Sequence, residues 1–471
     1  MTARELPDSA RVVIIGGGVG GTSIAYHLAA LGYSDVVLVE RDELTSGSTF
    51  HSAGLVGQLR SSLTLTKMIM YSVELYQALA ADPEISPGWV QCGGIRLAST
   101  PERLEEQRRQ VGWSKTFGLP LEEISPAEAQ ELFPPMDTAG VLGATYLPTD
   151  GYLDPAQLTY ALAAPARRAG VQIHTDTRVT GLGVEDGRMR WVETDRGRIR
   201  AGIVVNAGGM HAAQIARMAG VRLPIVPMSH QYLITQGFRD VTGARRLPTL
   251  RDPDLLVYFR EEGRGLVMGG YERNSRPFAI DAGGMDAIPA DFNGRLLEED
   301  WERFEDIAKN SAKRVPQMAD VPIRKLINGP EGFTPDNEFC LGETEVRGFF
   351  VAAGFCAHGI AGAGGIGKVM AEWIADGEPS LDLWHMDVRR FGAHYRSPSY
   401  TLKRTQEIYE TYYDIRYPNH EREAGRPLRV SPAYHWHVGH GAALGEKAGW
   451  ERVNYYPPNA ERANESLHPR G

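Results

Sequence analysis

The chain has 471 residues, 42% hydrophobic and 23% charged, with a formal net charge of −9. That length allows about two or three domains, and the composition is ordinary for a globular enzyme. The acidic balance argues against a nucleic-acid partner, and no apolar run approaches the ~20 residues that span a bilayer.

The N-terminal stretch MTARELPDSARVV carries acids and has no apolar h-region, so it does not read as a secretory signal. An apolar run (Val12, Val13, Ile14, Ile15) then breaks into glycines, and Gly16, Gly18 and Gly21 fit GxGxxG. In that pattern the first glycine permits a tight turn and the second lets the backbone approach a pyrophosphate. The third lets a helix pack closely on the strand, with its positive end at the phosphates. A helical pattern follows (Ile24, Ala25, Leu28), then Gly32 and a second apolar run that ends at Glu40, 19 residues after Gly21. A carboxylate there accepts hydrogen bonds from ribose hydroxyls and disfavours a 2′-phosphate, which argues against NADP.

Residues 62–83 read as a helix and 101–112 as an exposed one. Cys92, Cys340 and Cys356 are scattered and have no CxxC partner. Sparse thiols of this kind suit packing in a reducing, cytoplasmic setting. Turn residues at 149–151 precede a helix over 155–169 and a strand holding Val171 and Ile173. A further strand runs into Gly208, Gly209 and a helix. From 224 to 275, apolar runs alternate with turns as antiparallel strands do. Residues 295–316 read as a charged helix with a solvated face, and 345–377 repeats the strand–glycines–helix form.

These pieces imply an α/β fold with a discontinuous nucleotide domain (1–85, 150–220 and 330–390). A β-sheet substrate domain (86–149 and 221–329) interrupts it and roofs the cofactor, and a C-terminal α+β connecting segment covers 391–471. A late helix N-terminus can face the electron-rich pyrimidine edge of a flavin and stabilise its anionic reduced form. A simple NAD dehydrogenase has no need of that third element. The HWHVGH run (His435, His437, His440) has zinc-like spacing but no evident fourth ligand, so no metal is expected.

The stretches IIGGGVGG, VVLVERDELTSGSTFHSAGL, VVNAGG, MSHQYLIT, VYFREEG, NGPEGFTPD, AGGIGKVMAEWIADGEP and GEKAGWERVNYY resemble the FAD-dependent dimethylglycine and sarcosine dehydrogenases and dimethylglycine oxidase of the D-amino-acid-oxidase superfamily. The resemblance covers nearly the whole chain, and GSTFH and GWER are its most specific parts. It implies a glutathione-reductase-type Rossmann-like FAD domain and a covalent flavin on His51, with Phe50 where tryptophan is usual. The residues alone leave open a noncovalent contact or a buried structural histidine. By the same resemblance Val19, Gly20, Glu40 and Arg41 meet the ADP half, and residues 47–55 (Gly47, Ser48, Thr49, Ala53, Gly54 and Leu55 among them) line the flavin. Val179 bonds the adenine edge, Gly208 follows its strand at the cofactor, and Gly359 and Ile360 contact the flavin.

The implied reaction is oxidative demethylation of a small N-methylated amino acid, sarcosine or dimethylglycine, with release of formaldehyde. It requires a deprotonated amine, a C–H held over the flavin and an anchored carboxylate. His230 and Tyr258, on neighbouring strands of the roof, are the expected catalytic pair, with His230 titrating near neutrality. Arg60 and Arg260 are the candidates for the carboxylate. His358 either tunes substrate choice or caps a helix. Expected partners are an electron-transfer flavoprotein or oxygen as acceptor, and a folate-binding domain or second subunit, because relatives carry a T-protein-like domain about where this sequence stops. Rival readings are oxidation of another amine, such as N-methylproline or methylaminobutyrate, and a noncatalytic flavin-bearing subunit.

Overall fold

The computed structural model describes residues 5–237, 246–417 and 420–456. The four β-branched residues Val12–Ile15 are wholly buried and form a central strand, because both faces of a parallel sheet are covered and favour such runs. In space the nucleotide sheet runs Cys340–Glu343, Phe349–Ala353, Ile203–Asn206, Val12–Ile15, Val36–Val39 and Gln172–His174, with only the first strand antiparallel to its neighbour. Helix Val19–Ala30 packs between helices Pro155–Arg168 and Gly359–Asp376. The glycines of that last helix permit close approach. A Cβ on Gly365 would lie 2.5 Å from the Met68 carbonyl oxygen of helix Leu63–Ala80, and one on Gly367 would lie 2.1 Å from Ser23 Oγ.

A second, nine-stranded sheet forms the roof. Strand Val226–Thr235 pairs antiparallel with Ile323–Phe333 on one side and with Gly265–Gly270 on the other. Gly265–Gly270 pairs in turn with Val257–Glu262, then come Thr249–Asp252, Gly94–Ala98 and Gly143–Leu147. Tyr258 is therefore two strands from His230, not on a neighbouring strand as expected. The intervening residue in its row is Gly269, where a Cβ would lie 2.3 Å from the Tyr258 hydroxyl. The missing side chain lets the tyrosine ring cross that strand.

Two expectations from sequence change here. Helix Trp301–Arg314 has more than a solvated face. Its Phe304 and Ile307 are buried in the roof core, Arg303 pairs with the buried Glu272, and Arg314 Nε lies 2.7 Å from Asp252 Oδ2. The C-terminal segment does more than connect. Ile408, Tyr409 and Tyr413 pack in one cluster with Tyr258, Tyr271 and Phe333. Beyond it, strands Ala443–Lys447 and Trp450–Tyr455 form the hairpin of the GWER stretch.

Candidate active site

The turn after the first strand has the geometry its glycines imply. Gly16 has φ +116°, and a Cβ on Gly21 would stand 2.0 Å from the Gly16 carbonyl oxygen. Gly18 is the N-cap of Val19–Ala30 and has no side chain to cap it. A Cβ on Gly20 would press on Phe355 at 2.9 Å, so this helix start lies against the segment that begins the last helix. Glu40 accepts the Gly17 N–H at 2.6 Å and the Asp42 N–H at 3.1 Å, and burial raises its carboxyl against these bonds. The adjoining Thr177 N–H donates to the Glu40 carbonyl, two residues before Val179 opens its strand. Gly208 N–H bonds Asn206 Oδ1 beside the Gly16 turn.

The Arg41 side chain, next to Glu40, reaches across to the 290–292 segment. It donates to the carbonyls of Ala290 and Phe292 and to His211 Nε2, and so clamps the 290–292 segment onto the nucleotide domain. Gly47 lies in the turn before Ser48, whose Oγ donates to the Pro330 carbonyl at 2.7 Å.

A cavity of about 580 Å³ opens between the two sheets, within the usual range for ligand sites. Val19, Ser48, Thr49, Ala53, Gly54 and Leu55 line one part of it, and Gly359 and Ile360 another. The helix Gly359–Asp376 has His358 at its N-cap with no side-chain cap bond. The His358 ring faces the cavity and meets the Tyr412 hydroxyl through Nε2 at 2.9 Å, so it does not cap the helix.

His51 is buried beneath this lining. Its imidazole packs on Gly329, where a Cβ would lie 2.5 Å from Nδ1, and its Nε2 has no hydrogen-bond partner. Phe50 meets the ring edge-on at 5.1 Å between centroids. Burial lowers the imidazole to about 4, so it is neutral at ordinary pH. A buried ring nitrogen without a partner is rare. Together with the Gly359–Asp376 helix start, which has no side-chain cap bond, and the Val19–Ala30 start, whose Val19 N–H meets Thr49 Oγ1 at 3.2 Å on the same cavity wall, it fits an extended FAD.

His230 and Tyr258 do meet: Nε2 to hydroxyl is 3.0 Å. His230 Nδ1 faces the Tyr409 hydroxyl at 2.8 Å, and Tyr409 donates to Glu272 Oε2 at 3.0 Å. Because Tyr409 gives its only proton to Glu272, it accepts from Nδ1–H. Nε2 is then the bare nitrogen that accepts from Tyr258. Burial, helped by Arg303, lowers His230 to about 3 and corrects the expectation that it titrates near neutrality. The Tyr258 hydroxyl is raised well above its ordinary value by burial.

The two arginine candidates separate. Arg260 does not line the cavity. Its guanidinium bonds the carbonyls of Ala53 and Glu261 and the carboxylate of Glu262. Those partners make it a brace between the roof and the 47–55 segment rather than a carboxylate anchor. Arg60 lines the cavity, its buried Nε has no partner, and burial lowers it to about 10. Sequence reasoning missed Arg96 and Arg251, which line the same cavity, and Glu331, a lining carboxyl raised to about 7 by burial. It also missed Tyr409 and Glu272. Each depends on strand register or on a distant helix, for which a single sequence carries no local signal.

Among the described residues no group of His, Cys, Asp and Glu could hold a metal, all three cysteines are free, and no helix is long and apolar enough to cross a membrane.

Residues 11–373 match a family described as FAD dependent oxidoreductase (DAO), and residues 376–431 match the FAD dependent oxidoreductase central domain. The chain is 37% identical over 97% of its length to human mitochondrial sarcosine dehydrogenase, of which it covers 50%. It is 37% identical over 95% of its length to human mitochondrial dimethylglycine dehydrogenase, of which it covers 52%. A mouse protein named pyruvate dehydrogenase phosphatase regulatory subunit is 36% identical over 97% of the chain, with 52% of that protein covered. The chain thus spans about half the length of the curated relatives it matches. Among solved structures, L-proline dehydrogenase from P. horikoshii aligns with a TM-score of 0.72 at 29% identity, over 82% of this chain and 98% of that one. The chain belongs to the DAO family of FAD-dependent oxidoreductases.

Proposed function

We propose that this chain is the flavin-bearing part of an enzyme that oxidatively demethylates a small N-methylated amino acid, with formaldehyde as the one-carbon product. Sarcosine and dimethylglycine are the smallest members of that class. The observation that carries the reading is the His230–Tyr258 bond of 3.0 Å in a cavity that Arg60 also lines. An amine-facing hydroxyl and a carboxylate anchor share one site. Relatives named sarcosine dehydrogenase, dimethylglycine dehydrogenase and 4-methylaminobutanoate oxidase (formaldehyde-forming) support it.

The turn from Gly16 to Gly21 would hold the FAD pyrophosphate at the start of Val19–Ala30. The 48–55 segment, Gly359 and Ile360 would hold the flavin, with His51 Nε2 as its covalent anchor. Bound FAD supplies the hydride acceptor. The protein's own part is positioning. Arg60 takes the substrate carboxylate in a bidentate grip. Tyr258 donates its proton to His230 Nε2, which leaves its oxygen lone pairs to accept an amine N–H. A neutral imidazole and several guanidinium groups disfavour a cationic ammonium beside them, so the site holds the amine as its free base, the form whose lone pair drives oxidation. Electrons leave to an electron-transfer flavoprotein or to oxygen, and formaldehyde leaves to solvent, a folate-binding domain or a second subunit. The three free cysteines suit a reducing, cytoplasmic setting.

The relative named as a regulatory subunit favours a second reading, a noncatalytic flavin-bearing subunit. Anaerobic mixing with N-methylated amino acids separates the two. Bleaching of the flavin that is lost in His230→Asn supports oxidation. A flavin that stays oxidised with every amine supports the noncatalytic subunit.

A further inference from the structure

The roof sheet sets a row of residues across its strands. Tyr258 pairs with Arg251, Arg251 with Arg96, and Arg96 with Thr145. Cross-strand partners share a face, and neighbouring strands lie about 4.8 Å apart. Two guanidinium groups therefore follow Tyr258 along one face, at about 5 and 10 Å of backbone separation. Both line the main cavity with Arg60. All three also line a smaller pouch of about 50 Å³ that shares wall with it. Small residues shape this pouch: Gly57 and Gly94 stand in its wall, and a Cβ on Gly57 would lie 3.2 Å from both Arg251 Nη1 and Asp150 Oδ2.

The guanidinium groups of this corner have few partners of their own. None of Arg60, Arg96 and Arg251 makes an ion pair with a carboxylate of the described residues. The Nε atoms of Arg60 and Arg96 are buried with no partner. Asp150 is the carboxylate in the pouch, and its Oδ1 is taken by the backbone and side-chain N–H groups of Gln58. Glu106 is in charge contact with Arg96 and bonds Arg103 at 2.7 Å, and Arg103 also pairs with Asp254 at 3.1 Å. Three guanidinium groups thus line the pouch, where Asp150 is the one carboxylate. Arg60, Arg96 and Arg251 are half-buried, and guanidinium N–H groups left without partners at a cavity wall suit an anionic ligand.

We infer that Arg96 and Arg251 form a second anion subsite beside Arg60, and that the substrate is an N-methylated amino acid carrying a second carboxylate. This deepens the demethylation reading and rests on it for the substrate's amine. The first carboxylate lies at Arg60, the amine at Tyr258, and the second carboxylate reaches the Arg96–Arg251 pouch one to two strands away. A side chain of one or two methylenes, as in N-methylaspartate or N-methylglutamate, has the length for that reach. Arg251 acts as the shared donor between the two carboxylates.

Two measurements test the subsite. In the first, kcat/KM is compared for sarcosine, N-methylaspartate and N-methylglutamate. A dicarboxylate is expected to exceed sarcosine by at least tenfold, and Arg96→Met and Arg251→Met each reduce that ratio at least tenfold. A ratio of one or below overturns the subsite while leaving demethylation intact. In the second, calorimetry on the flavin-loaded protein compares glutarate with butyrate, neither of which can be oxidised as an amine. Glutarate is expected to bind at least tenfold tighter, with the gap closed in Arg96→Met. Equal binding, no binding, or a gap that survives the substitution overturns it. Tight glutarate binding with no flavin reduction by any amine would sink the demethylation reading and keep the subsite.

Discussion

His230 Nδ1 lies 2.8 Å from the hydroxyl of Tyr409, a residue of the helix Pro398–Glu410. The contact joins a roof strand to the segment expected only to connect. It also fixes the imidazole tautomer, because Tyr409 donates onward to Glu272, which Arg303 meets. The C-terminal helix is therefore part of the site. Tyr409→Phe removes the acceptor for Nδ1–H and frees the ring to flip. Flavin reduction is expected to slow about tenfold to a hundredfold, with little change in KM, since Tyr409 positions His230 and does not line the cavity. Rapid-mixing rates across substrate concentration give that split.

Removing the pair itself costs more. His230→Asn and Tyr258→Phe are each expected to slow flavin reduction by about 10²–10⁴-fold. The double variant should be little worse than either single one, because the two groups act through one bond. Single-turnover rates for the four proteins test this.

The pH profile should carry no step from His230, which burial holds neutral down to about 3. Glu331 lines the same cavity, and burial raises its carboxyl to about 7. As pH rises through 7 it gains a negative charge. A step in the rate near pH 7 that disappears in Glu331→Gln and persists in His230→Asn is the expected result, read from flavin-reduction rates between pH 5 and 9.

Acid should also weaken the fold. His27 is buried, with Nδ1 at 2.7 Å from the Ser23 carbonyl, and burial lowers it to about 4. The unfolded chain takes up a proton below about pH 6.5 that the folded one refuses. Stability is therefore present above 6.5 and lost as pH falls toward 4, by about 1.4 kcal/mol per pH unit for each such histidine. His211, also lowered to about 4, adds to the slope. Denaturant melts between pH 7.5 and 5 measure it, and His27→Gln should flatten it.

Much of this was legible because it is local. The glycine turn, the acid at Glu40 and the late strand–glycines–helix unit sit within short windows, and the nucleotide sheet follows from them. The Tyr258–His230 contact was reached only through resemblance, since a whole strand, with Gly269 on it, lies between theirs. Arg260 misled because it lies two residues from Tyr258 on the same strand, and periodicity cannot tell a guanidinium that faces a cavity from one already bonded to Ala53. Arg96 and Arg251 become neighbours through a parallel pairing of strands more than 150 positions apart, which nothing in either strand announces.

Gly329→Ala tests the place of His51. The added Cβ would stand 2.5 Å from Nδ1, so the ring must turn away. Covalent flavin should be lost while FAD still binds, seen as yellow protein that sheds its colour on denaturation. In Gly21→Ala the Cβ meets a backbone oxygen at 2.0 Å, so FAD binding itself should fail.

The most direct measurement is flavin fluorescence of the purified protein on a denaturing gel after acid treatment. The account predicts a fluorescent polypeptide band, and a band that goes dark in His51→Ala while its dye front brightens. Protein that is colourless, and stays so after incubation with FAD, would contradict it.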